Sequence, residues 1–221
     1  MIKIYWLEYS FFDHPWKYSL ILYTSWCNLK CYKCHNRLLS GWDYWDIGET
    51  KWVETSDYYK ELDWDELILA INSWMIDMVI LCWWEVLLYS VDEIKRFVDY
   101  IKSINNKLLI RIDTNWTFPK KVEELVKRWE IDWFAIDIKW PYWNNNYYSK
   151  IWEVMWIPIE KLEDYCKKII QSIYLSKDLE YSIYRTVSYP IINDSSYFDE
   201  IKLYVKENLH KHHSFNVFKN V

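Results

Sequence analysis

Residues 78–112 read MVILCWWEVLLYSVDEIKRFVDYIKSINNKLLIRI. The stretch opens on a short apolar run, MVILC (78–82), and closes on another, KLLIRI (107–112). Between them Ile94, Phe97, Val98 and Ile101 recur at i, i+3, i+4 and i+7 with charged residues opposite, which predicts an amphipathic helix over 91–103. A strand, a helix and a second strand in this order form the crossover unit from which parallel sheets are built.

The same alternation extends in both directions. SLILYT (19–24), WFAIDI (133–138), LEYSIYRTV (179–187) and SFNVF (214–218) have strand character, being rich in β-branched and aromatic residues. WDELILAINSW (64–74), PKKVEELVKRW (119–129), IEKLEDYCKKIIQSI (159–173) and SYFDEIKLYVKEN (196–208) have helical period, and Pro119 suits the first turn of its helix. Six strands with five intervening helices predict an α/β fold, a partial (β/α)6 TIM-like barrel of parallel strands. No repeat or linker divides the chain, so a single domain over 1–221 is expected. Residues 40–62, which hold both glycines, read as a long loop or insertion.

Composition bounds the function classes. The 221 residues carry a net charge of −5 without a Lys/Arg cluster, which argues against a nucleic-acid or anionic-membrane surface. The N-terminus, MIKIYWLEYSFFDH, lacks the layout of a signal peptide. The longest apolar stretch, MVILCWWEVLLY, is too short to span a bilayer and is broken by Glu85. A soluble, cytoplasmic protein is expected, with no nucleic-acid or membrane partner. Five cysteines, three of them crowded together, fit reduced thiols or a metal site better than a disulfide framework.

The polar signals fall at one end of the predicted barrel. TSWCNLKCYKCHN (24–36) follows the first predicted strand, CWWE (82–85) ends the second, DTNW (113–116) the third and DIKWP (137–141) the fourth. Arg185 and Thr186 lie near the end of the fifth. The carboxyl ends of parallel strands are where such folds build their sites. Cys27, Cys31 and Cys34 are spaced for an iron–sulfur cluster, and three thiolates leave one iron of a [4Fe–4S] cluster open to substrate. A structural zinc would need a fourth ligand, for which His35, adjacent to Cys34, is poorly placed. Three thiols without a ligand are the remaining reading.

The Cys-x3-Cys-x2-Cys pattern of residues 27–34, followed by His35-Asn36, resembles the radical S-adenosylmethionine superfamily. Within it the chain resembles the activating enzymes of glycyl radical enzymes, in particular those of anaerobic ribonucleotide reductases. The resemblance runs from YWLEYSFFDHPWK (5–17) through the cysteine segment, LCWWE, RIDTNW and FAIDIKWP to RTVSYP (185–190). It implies an oxidoreductase in which Cys27, Cys31 and Cys34 ligate a [4Fe–4S] cluster. S-adenosyl-L-methionine then chelates the open iron and is cleaved reductively to a 5′-deoxyadenosyl radical. That radical installs a glycyl radical on the partner enzyme, with a flavodoxin- or ferredoxin-type protein as electron donor.

Residue by residue, the resemblance implies that Trp83-Trp84-Glu85 falls where the family has Gly-Gly-Glu, which lines up the methionine amino group. Asp113, Thr114, Asn115, Asp137 and Lys139 match strand-end residues around the methionine carboxylate and ribose. Lys33 and His35 complete the cofactor-binding candidates. Lys33 stands where the family has an aromatic residue near the adenine, with Tyr32 one place earlier. Cys82 and Cys166 are expected to pack in the core. A radical enzyme acting on a small molecule and a non-catalytic metal-binding homologue are the alternatives. HKHH (210–213) reads as a solvated helix end rather than a metal site.

Glycine usage is abnormal. Average composition predicts about 7% glycine, whereas this chain has 2 Gly and 17 Trp. In the resembling segments Trp6, Trp16, Trp26, Trp74, Trp83, Trp84, Trp116 and Trp129 stand where the family has Gly. Glycine serves where φ is positive or where backbone touches a ligand, and a left-handed conformation costs any other residue about 1–2 kcal/mol. Most of these tryptophans are therefore expected to represent a codon, UGA being the natural suspect, that the source organism reads as glycine.

Overall fold

The computed structural model describes residues 2–13, 16–31, 34, 42–46, 49–52, 60–82, 85–128, 131–179, 182–188, 196–211 and 213–217. Its centre is a seven-stranded sheet in the order β1 (Trp6–Ser10), β2 (Ser19–Tyr23), β5 (Met78–Cys82), β6 (Leu109–Thr114), β7 (Trp133–Asp137), β8 (Ile183–Ser188) and β9 (His213–Val217). β2 to β9 of this sheet run parallel, pairing for example Ile21 with Ile80, Ile80 with Arg111 and Asp113 with Ala135. The six parallel strands are those read from the sequence.

Crossover helices connect them: α1 (Trp64–Ile71), α2 (Val91–Ile104), α3 (Pro119–Arg128), α4 (Tyr148–Met155) with α5 (Ile159–Leu175), and α6 (Ser196–Tyr204). The predicted α/β partial barrel is the fold observed. α2 begins in a full capping box, in which Ser90 and Glu93 satisfy each other's backbone N–H groups. Asp63 caps α1 by accepting from the Asp65 N–H.

Four elements depart from the sequence reading. β1 precedes the first predicted strand and pairs antiparallel with β2, Trp6 opposite Tyr23 through Ser10 opposite Ser19. Its residues are mostly exposed, as an edge strand's are, so they lack the apolar run that marks the central strands. α4 is a short extra helix before α5. Within the predicted loop of 40–62, β3 (Trp42–Asp46) and β4 (Glu49–Trp52) form a separate antiparallel ribbon. Aromatic residues and threonine in these segments suit paired strands, although no apolar period marks them.

Strand alternation sorts the core into two compartments. Leu20, Leu22, Val79, Leu81, Ile110, Ile112, Phe134 and Ile136 face the helices and pack with Ile71, Phe97, Ile101, Val122, Leu125 and Ile169. The intervening residues Ile21, Tyr23, Met78, Ile80, Cys82 and Trp133 form a smaller cluster inside the curve of the sheet. That lumen also holds the polar side chains of β6, β7 and β8, because Arg111 and Asp113 alternate with Ile110 and Ile112.

Candidate functional site

The cysteine loop leaves β2 through buried Thr24 and Ser25 and is anchored by Leu29, which is buried in the main core. Cys27 and Cys31 pack against that core, and the Cys34 N–H donates to the Cys31 carbonyl (3.2 Å). Each of the first two sulfurs faces a nitrogen donor. The Leu29 N–H lies 3.4 Å and Asn115 Nδ2 3.6 Å from Cys27 Sγ, and Lys139 Nζ lies 3.6 Å from Cys31 Sγ. Burial pushes the Cys27 thiol well above its usual range, and Cys31 and Glu85 push it in the same direction. Among the described residues no three His, Cys, Asp or Glu side chains are gathered around one metal-ion position. Three cysteine sulfurs in one loop, two of them facing nitrogen donors, are a donor set chemically suited to an iron–sulfur cluster.

Glu85 ties the neighbouring strand ends to this loop. Its N–H donates to the Trp26 carbonyl (3.0 Å). Its carboxylate accepts from Thr114 Oγ1, from the Asn115 N–H (2.7 Å) and from the Leu87 N–H (3.1 Å). The residue is only 2% exposed, and burial pushes its pKa up to about 7 against the opposing pull of those hydrogen bonds. Asn115 in turn donates to Asn28 Oδ1 (2.7 Å), and Asn28 Nδ2 donates to Thr117 Oγ1 (2.9 Å). The ends of β2, β5 and β6 are thus one hydrogen-bonded unit.

Below it lies an ion-pair chain. Arg111, fully buried, clamps Asp113 with two bonds, Nε to Oδ1 at 2.6 Å and an Nη to Oδ2 at 2.7 Å. Its other Nη donates to the Asp13 carbonyl (2.7 Å), pinning the segment after β1. Arg185 reaches Asp113 Oδ2 (3.0 Å) and pairs with Asp137 through Nε. Burial pushes the Asp113 carboxyl up, but the two guanidinium groups more than offset it and hold it below its ordinary value. Cys82 Sγ lies 3.6 Å from Asp113 Oδ2, and burial raises that thiol strongly.

Of the residues expected at the site, Glu85, Thr114, Asn115 and Cys27 form one group of contacts, Lys139 and Cys31 a second, and Asp113 and Asp137 a third through the arginines, while Cys34 bonds within the loop. Lys33, His35, Trp83 and Trp84 lie outside the described residues. The Glu85 carboxylate faces backbone and Thr114, and Asp113 and Asp137 are engaged by arginines. Cys82 packs in the smaller core cluster inside the sheet, and Cys166 packs on α5 in the main core, both as expected. Arg111 was not anticipated, and Arg185 carried no assigned role. The signal for Arg111 is a charged residue two places before Asp113 in an otherwise apolar strand, hence on the same face.

The architecture is of one class: a partial β/α barrel with three cysteines in the loop that follows its first parallel strand. No family model matches the chain. It is 27% identical over 165 residues to a Methanocaldococcus jannaschii protein provisionally named a glycyl-radical enzyme activating enzyme. The match covers 73% of this chain and 61% of that relative, so the chain spans about three fifths of the relative's length. In structure it is similar to the FeFe-hydrogenase maturase HydG of Carboxydothermus hydrogenoformans, with a TM-score of 0.52 and 14% identity. That match covers 90% of this chain and 44% of the maturase and establishes the likeness of fold. Among the described residues no helix is long and apolar enough to cross a membrane.

Proposed function

We propose that the protein is a radical S-adenosylmethionine activase that installs a glycyl radical on a partner enzyme. An anaerobic ribonucleotide reductase is the partner that the sequence resemblance favours. Cys27, Cys31 and Cys34 would hold a [4Fe–4S] cluster. Bound there, the cluster and S-adenosylmethionine supply a 5′-deoxyadenosyl radical that can take a hydrogen atom from a glycine Cα. The chain's own residues then aim and shield the chemistry.

The observation that carries this reading is the set of nitrogen donors on the sulfurs, Leu29 and Asn115 on Cys27 and Lys139 on Cys31. Such donors stabilise sulfur in its anionic, metal-binding form. Asn115 is held in place from the other side by the buried Glu85 carboxylate. The chain Arg111–Asp113–Arg185–Asp137 fixes the floor below, so polar groups above it keep their positions without reorganising.

Anoxically prepared protein tests the reading. It is expected to be brown, to contain inorganic sulfide, and to release 5′-deoxyadenosine when given dithionite and S-adenosylmethionine. The Cys27→Ala variant is expected to lose colour and product together. Activity on the partner would appear as a glycyl radical signal in electron paramagnetic resonance. A colourless, zinc-containing protein that leaves S-adenosylmethionine intact overturns the proposal.

A further inference from the structure

Five described residues other than glycine have positive φ: Trp16 (69°), Trp26 (79°), Trp116 (69°), Trp156 (51°) and His210 (54°). Four of the five are tryptophan, although tryptophan supplies only 17 of 221 residues. Histidine visits this region more readily than most residues, whereas a bulky side chain there is an outlier. Both glycines of the sequence, Gly41 and Gly48, lie outside the described residues. Every described position that needs the left-handed conformation is therefore filled by something else.

The surroundings of these tryptophans match glycine as well. Trp156 is the residue after helix α4, left-handed at φ 51° and ψ 36°, with its N–H donated to the Trp152 carbonyl and Pro158 two places on. A left-handed glycine followed closely by proline is the common helix stop. Trp16 is 98% exposed in a turn, so burial does not explain its indole. Trp116 is the opposite case: it is buried in the core, and its Nε1 donor has no partner there. A buried indole normally finds an acceptor for that hydrogen. Trp26 stands beside Cys27, and its carbonyl receives the Glu85 N–H where the cysteine loop meets β5.

We infer that the polypeptide made in the source cell carries glycine at positions 16, 26, 116 and 156, through a codon decoded there as glycine rather than tryptophan. The criterion is conformational and independent of any resemblance. It adds Trp156 to the positions that resemblance marks. It does not extend to Trp6 and Trp74, which are not left-handed, or to Trp83, Trp84 and Trp129, which lie outside the described residues. One consequence concerns the candidate site. With glycine at 26, the indole next to Cys27 is gone and only backbone stands at that position of the cysteine loop.

Peptide mass spectrometry of the protein isolated from its own cells tests the inference, alongside the codons at the four positions. Each of the four peptides is expected to be lighter by the difference between an indolylmethyl group and a hydrogen, with one shared codon type at all four. Any residue other than glycine at any of the four overturns it. Recombinant chains give a second reading. Trp→Gly at 16, 26 and 156 together, the three not buried in the core, is expected to raise the urea midpoint of unfolding. The same change at Trp64 and Trp152, which sit in helices α1 and α4, is expected to lower it. A lowered midpoint for the first set would also overturn the inference.

Discussion

Glu85 combines burial with three hydrogen bonds in a way that ties stability to pH. Its pKa rises from an ordinary 4.5 to about 7 because the folded environment disfavours the charged form. A carboxyl whose folded pKa is raised favours the folded state when protonated, so this contribution is full below pH 4.5 and is lost as pH climbs to about 7. At about 1.4 kcal/mol per pKa unit the loss is about 3 kcal/mol. Urea unfolding across that window is expected to show the decline in the parent chain and a flattened slope in Glu85→Gln. An unchanged slope in the variant would mean that another group titrates. The aim of this carboxylate was invisible in the sequence. LCWWE marks an acidic residue at a strand end, but its partners Thr114 and Asn115 come from a strand about thirty residues later.

At the level of elements, the strand ends are locked to one another by charge. Arg111 and Asp113 belong to β6, Asp137 to β7 and Arg185 to β8, and their pairing runs across three adjacent strands. Breaking such a buried chain by removing one member strands a charge, at a cost of about 3–5 kcal/mol. Arg111→Met is therefore expected to lose about that much in chemical denaturation, and Arg111→Met with Asp113→Leu to recover most of it. A single variant as stable as the parent would show that the chain contributes little. The strands and helices themselves were legible, because apolar residues recur at two or 3.6 within each segment. β1 was not, since an edge strand with one wet face carries no such run, and the β3–β4 ribbon falls in a stretch without any apolar period.

For the molecule as a whole, the open sheet depends on β1 to cover one edge. Ile2 and Ile4 are buried just before β1, the Tyr5 N–H donates to the Tyr23 carbonyl, and all five residues of β1 pair with β2. Removing residues 1–10 would expose the edge of an apolar central strand and uncover two isoleucines worth about 1.5–3 kcal/mol each. Light scattering on the truncated chain is expected to report aggregation, and a monodisperse product would show that β1 is dispensable. By itself the sequence determined the alternation of strand and helix, the end of the barrel that carries the polar residues, and the clustering of three cysteines in the loop at 27–34. Each of these rests on spacing between near neighbours, which local sterics and burial translate directly into structure. Only the tertiary structure decided that Lys139 meets Cys31, that two arginines take up Asp113 and Asp137, and which tryptophans occupy left-handed backbone. Those facts depend on the register between strands far apart in the chain, and no local pattern carries that information.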